Sequence, residues 1–209
     1  MSTEIVVIAD IIQSRKKFDP KEWQSFHDGI KWLNEIFVSN LKSPITVYSG
    51  DSFGTVSKDL YSAVSLVLKL PEFILKYNSR IVLIEDVIDF GLAEINIVNL
   101  EGPAVWKSQE YLEKIKNKEL FFGMLLQNES NMTIIENWVN IILVLKQNWS
   151  PIQRVTYRLY ANSLSQKDIA KTLGKSQQYI SKIIKKNNFQ IVLSNEKALM
   201  NLVYKTSIK

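Results

Sequence analysis

The sequence predicts an α+β domain over residues 1–148 followed by an all-α domain over residues 149–209, and three observations predict it. Up to residue 149, short apolar β-rich runs interleave with segments of helical periodicity. From Ser150 onward only helical patterns remain. The charge changes sign at the same place: residues 150–209 hold eleven Lys and Arg against two acids, Asp168 and Glu196, so the tail is +9, the preceding part is −4, and the whole chain is +5. Asn148-Trp149-Ser150-Pro151 marks the boundary.

In chain order, Ile5-Val-Val-Ile-Ala9 reads as a short buried strand. Asp19 is an N-cap, Pro20 stands at the first helical position, and Trp23, Phe26, Ile30, Leu33 and Phe37 recur at helical spacing, which predicts a helix from Pro20 to Asn40. Residues 44–57 alternate around Ser49-Gly50-Asp51-Ser52 and read as a hairpin. Leu60 to Tyr77 is helical, with Pro71 expected to kink or split it. Residues 80–98 hold two β-rich stretches separated by Glu85-Asp86. Pro103 to Lys116 is a helix, Leu120 to Leu126 a strand, and Thr133 to Gln147 an amphipathic helix. Arranged as βαββαβ, these elements make a ferredoxin-like sheet.

Composition narrows the chemistry. Hydrophobic residues make up 46% and charged residues 22% of the 209, ordinary values for a chain that can bury a core. With no cysteine and a single histidine, His27, there is no zinc site and no histidine-based triad, and nothing signals haem or flavin. The N-terminus lacks a basic signal-peptide region and no apolar run is long enough to span a membrane, so the expectation is a cytoplasmic protein without a membrane partner. A basic tail on an acidic body points to a polyanion.

The tail specifies how. In Gln166–Lys185, Ala170 falls where two helices would cross and Gly174 falls in the turn, where a left-handed backbone is needed. Ile169, Leu173, Ile180 and Ile183 point inward, and Ser165 and Ser176 cap the two helices. The outward face of the second helix is then Gln177, Gln178, Tyr179, Ser181 and Lys182, with Lys185 and Lys186 at its end. Gln bonds adenine bidentately, and Lys serves guanine or phosphate. The preceding helix, Pro151 to Asn162, is expected to place Arg154 and Arg158 near the phosphates. The run from Ser150 through Ala170 resembles the DNA-binding modules of sigma-factor region four and of LuxR-type regulators.

In the body, Asp10 ends the first strand and Asp51 sits at the hairpin tip. A ferredoxin-like sheet makes those elements neighbours, so the two carboxylates are expected close enough to hold Mg²⁺. Arg15, following the first strand, is a candidate phosphate ligand. Ala9-Asp-Ile-Ile12 followed by Gly50-Asp-Ser-Phe53 resembles the two metal-binding elements of class III nucleotide cyclases. Together with Gly102-Pro103-Ala104 opening a helix and a terminal helix-turn-helix, the whole chain resembles the SatD family. That resemblance implies a nucleotide-cyclase-like domain with Asp10 and Asp51 as metal ligands and Lys107, the cation on the helix after Gly102-Pro103, as a nucleotide contact. The sequence departs from the cyclase pattern at Trp106, Gln109 and Glu110, where an Asn and an Arg would stabilise the transferring phosphoryl group, and at Asp89 and Glu94, which repel a triphosphate. Those departures argue against turnover.

The leading expectation is therefore a bacterial-type transcriptional regulator that binds double-stranded DNA as a homodimer. Its degenerate cyclase-like domain would serve dimerisation or the sensing of a small nucleotide ligand. The alternative is a metal-dependent nucleotide-binding or nucleotide-processing enzyme centred on Asp10 and Asp51.

Overall fold

Apolar residues on both faces of the first strand call for cover on both sides, and the fold supplies it. The structure is a computed structural model that describes residues 3–12, 19–91, 96–128 and 130–207. Strand β1 (Thr3–Ile11) is longer than its apolar core and lies third in a five-stranded sheet. It is flanked by β3 (Ser52–Ser57) and β4 (Ser79–Val87), both antiparallel to it, with β2 (Thr46–Tyr48) outside β3 and β5 (Phe122–Leu125) parallel to β4 at the other edge. The order β2-β3-β1-β4-β5 is the expected βαββαβ arrangement extended by one strand.

The helices divide between the two faces. On one face α1 (Pro20–Phe37), α2 (Leu60–Phe73) and α4 (Met132–Gln147) cover Val7, Ala9, Ile81 and Leu83. On the other, α3 (Pro103–Asn117) covers Val6, Ile8, Val56 and Val82. Asp19 caps α1 by accepting from the Lys21 amide, as its position predicts. Pro71 sits in the last turn of α2, which ends at Phe73 rather than running to Tyr77. Of the two β-rich stretches expected within 80–98, the first becomes β4, and residues 92–95 of the second lie outside the described residues. Gly91 turns the chain at φ 90°, where an added Cβ would collide with the Asn99 carbonyl, and Ile97–Asn99 forms a 3₁₀ turn capped by Asn96.

The tail comprises α5 (Pro151–Ala161), α6 (Gln166–Leu173), α7 (Gln177–Lys186) and α8 (Phe189–Ser207). Ser150 and Gln153 form a reciprocal capping box at the start of α5. Packing is continuous across residues 148/149. One buried cluster runs from Val7 of the sheet through Trp149, Tyr157 and Ile180 to Val203, and α8 seats against α2 and α4. The tail helices pack on one another around Tyr157, Ile169, Ile180 and Phe189, and α8 joins that packing to α2 and α4.

Polar groups fasten the same junction. Lys146 is fully buried, with Nζ 2.6 Å from Glu72 Oε1 on α2 and 2.7 Å from Glu196 Oε1 on α8. The Tyr157 hydroxyl on α5 donates to Glu196 Oε2 at 2.5 Å. Burial alone would push the Lys146 ammonium down; the two carboxylates outweigh it and hold the group above the usual lysine range.

Candidate nucleic-acid interface and acidic pair

The segment from α6 to α7 is built by local rules. The Ser165 hydroxyl accepts from the Asp168 amide and that of Ser176 from the Tyr179 amide, so each helix begins on its own cap. Between them Gly174 adopts φ 61° and ψ 37°, the left-handed conformation that ends α6 and redirects the chain. Ile169 and Ala170 on α6 and Ile180, Ile183 and Ile184 on α7 are buried.

That burial fixes what α7 presents outward. Gln177, Gln178, Tyr179, Lys182, Lys185 and Lys186 are exposed, and Ser181 is half-exposed. Gln166, Gln177, Gln178, Ser181, Lys182, Lys185 and Lys186 line one shallow concavity. No acid stands on α7. Of the tail's two acids, Glu196 is engaged with Lys146 and Tyr157, and Asp168 accepts from the Ser165 hydroxyl.

The two arginines expected at the phosphates are elsewhere. Arg154 is 3% exposed. Its guanidinium donates to the carbonyls of Trp149, Ile74, Tyr77 and Gln147 and to Asn78 Oδ1 at 2.6–3.0 Å, closing the C-terminal ends of α2 and α4. Burial lowers it to about 10. Arg158 lies over the Phe73 ring, 4.7 Å from its centroid, and faces α2. α5 packs against α2, so Arg154 and Arg158 both turn toward that junction.

At the sheet, Asp10 pairs in register with Ser52, and the Ile11 amide donates to the Asp51 carbonyl, so strand end and hairpin tip meet as expected. Ser49 and Gly50 hold positive φ in the turn that carries Asp51. Burial and then the Asp51 charge push the Asp10 carboxyl above the usual carboxylate range, while Ser52, which donates to Asp10 Oδ1 at 3.2 Å, and the charges of Lys116 and Arg80 act the other way. The Tyr48 phenol beside them is pushed up to about 12 by burial and the Asp10 charge. Among the described residues no group of three or more His, Cys, Asp or Glu could hold a metal, so any cation here would rest on two carboxylates.

Lys107 does not belong to this site. It is ion-paired with Asp86, six residues along β4 from Arg80, the register partner of Asp10. Six strand residues span about 20 Å. Arg15 lies outside the described residues. The cations that do reach Asp10 are Lys116 and Arg80, whose Nε is buried without a hydrogen-bond partner among the described residues. Lys116 was open to discovery from helix length alone: the 15 residues of α3 rise about 22 Å, which carries its C-terminus to the opposite end of the sheet from Lys107.

The SatD family model matches residues 4–203. The chain belongs to the SatD family. No curated protein matches this SatD-family chain. Among solved structures, two of a bacterial light-regulated adenylyl cyclase are similar to it, at 11% and 13% identity with TM-scores of 0.41 and 0.43. In each case the likeness covers 59% of the SatD chain and 43% of the cyclase chain, and at those scores it carries no argument about chemistry. Among the described residues no helix is long and apolar enough to cross a membrane.

Proposed function

We propose that this SatD-family protein is a transcriptional regulator that binds double-stranded DNA through α7, with α6, the Gly174 turn and α7 acting as a helix-turn-helix. The observation that carries this reading is the two-sided character of α7: Ile180, Ile183 and Ile184 are buried, while Gln177, Gln178, Lys182, Lys185 and Lys186 face one concavity free of acid. In a groove, Gln177 and Gln178 at the helix start read base edges, and the lysines at its end take phosphates. The sheet domain serves as the scaffold to which this reader is fastened. The test is binding of the full chain to random and genomic duplex fragments across a salt series. Affinity should fall log-linearly with salt, with some genomic fragments retained above random DNA. Absence of binding at low salt would refute the reading.

A second reading is favoured by the raised Asp10 carboxyl beside Asp51. Two carboxylates held that close are relieved by a cation, and Lys116 and Arg80 would suit the phosphates of a nucleotide bound with it. A rise in melting temperature with millimolar Mg²⁺ and a nucleoside triphosphate, abolished by Asp10→Asn, would support it; no rise would discard it.

A further inference from the structure

We infer that two copies of this chain pair through the outer face of α4, with Ile191 of α8 at its edge. Six residues of α4 are exposed: Thr133, Ile134, Asn137, Ile141, Val144 and Leu145. None is charged and four are large and apolar. Ile134, Ile141, Val144 and Leu145 are 54%, 62%, 44% and 46% exposed, and Ile191 is 59% exposed. The Trp138 indole N–H donates to Asn195 Oδ1, and the Asn195 amide donates back to the Ile191 carbonyl, which places Ile191 beside this stripe. The helix beneath is fixed, since Ile135, Val139, Ile142 and Leu143 are buried and Lys146 is locked between Glu72 and Glu196.

The five apolar side chains offer on the order of 400 Å². That lies in the size range of the largest patch on an ordinary monomer, where such patches tend to be functional. Thr133, Asn137, Asn148 and Gln190, all exposed, form a polar rim around it. Core and rim together approach the roughly 800 Å² per partner of a standard stable interface. The chemistry selects a second copy as the occupant. A face without charge meets itself without like-charge repulsion, which a two-fold contact requires because each residue faces its own kind or a near neighbour. A charged partner would find no complement here and would be drawn instead to the basic face of α7. With the axis crossing the middle of α4, Ile134 of one copy approaches Leu145 of the other and Ile141 lies near the axis. The competing apolar patch on α1, around Trp32 and Ile36, is broken by the exposed charges of Asp28, Lys31 and Glu35.

The pairing stands independently of DNA binding. Its consequence for DNA would be two α7 helices in one two-fold particle, suited to paired half-sites.

The experiment is sedimentation of the full chain over a concentration series, without DNA, for wild type, Ile141→Asp, Leu145→Asp and Trp32→Ser. Wild type should dimerise at micromolar concentration. Each aspartate should raise the dimer dissociation constant at least about 30-fold, the size of a central hot-spot loss. Because Ile141 and Leu145 are exposed, melting of the monomer should not change, and Trp32→Ser should leave the dimer intact. A wild type that stays monomeric up to the highest concentration reached would overturn the inference. So would a dimer indifferent to both aspartates, or one dissociated by Trp32→Ser alone. A dimer that responds as expected but binds no DNA would uphold the pairing and remove the reading of α7.

Discussion

Replacing Lys146 with Met should destabilise the chain more than any substitution on its surface. Met preserves most of the volume, so the effect is electrostatic. Lys146 Nζ lies 2.6 Å from Glu72 Oε1, 2.7 Å from Glu196 Oε1 and 2.6 Å from the Leu68 carbonyl. Glu72 is 1% exposed, so without the ammonium it is a buried charge with Lys69, 3.6 Å from its second oxygen, and the Arg158 charge left to offset it. Breaking a buried pair by removing one partner costs about 3–5 kcal/mol, a large share of the 5–15 kcal/mol typical of a domain. Urea unfolding at neutral pH, followed through the tryptophan fluorescence, measures it. In wild type the raised Lys146 contributes in full at neutral pH and loses its contribution only as strongly alkaline pH titrates the folded group. Neutralising all three groups, with Glu72→Gln and Glu196→Gln added, should recover most of the loss. Because Glu72, Lys146, Tyr157 and Glu196 come from α2, α4, α5 and α8, tail and sheet should unfold in one transition. A loss below about 1 kcal/mol, or no recovery in the triply neutralised variant, would refute the reasoning.

Three further outcomes follow from the same geometry. Asp10→Asn should raise the melting temperature at neutral pH: a raised carboxyl makes wild type lose stability as pH climbs through its folded value, so the gain should vanish in acid, below the ordinary Asp range. Gly174→Val should cost roughly 1–2 kcal/mol from backbone strain alone, since nothing lies within 4 Å of an added Cβ, and Gly174→Asn should cost less; equal effects would mean that the turn is not held left-handed. Arg154→Ala should cost at least about 3 kcal/mol by orphaning several buried carbonyls, and should leave the salt dependence of DNA binding unchanged if that residue only closes helix ends.

Local signals in this sequence are legible, and long-range ones are legible only where connectivity leaves few choices. Asp19 with Pro20, the caps Ser165 and Ser176, and Gly174 each announce a backbone event within a few residues, and each is realised. The meeting of Asp10 with the Asp51 hairpin was legible too, because βαββαβ connectivity leaves few sheet orders. Arg154 departs from its expected place because a basic residue looks the same in sequence whether it faces phosphate or five acceptors inside the fold. Only the ends of α2 and α4, some eighty residues and seven residues away, decide between them for Arg154. Lys146 and Glu196 hid in the same way: each reads as an ordinary surface charge until α8 folds back onto α2. Pattern and charge change at residues 148/149, and neither reveals that α8 seats against α2 and α4.

The most direct test of the account is the salt slope of DNA binding for Lys182→Ala and Lys185→Ala measured beside wild type. Both side chains stand exposed on the concave face of α7. If α7 is the DNA-facing helix, each variant should bind all duplexes more weakly and flatten the slope of log affinity against log salt by roughly 0.9. An unchanged slope in both variants would contradict the assignment of α7 and, with it, the proposed function.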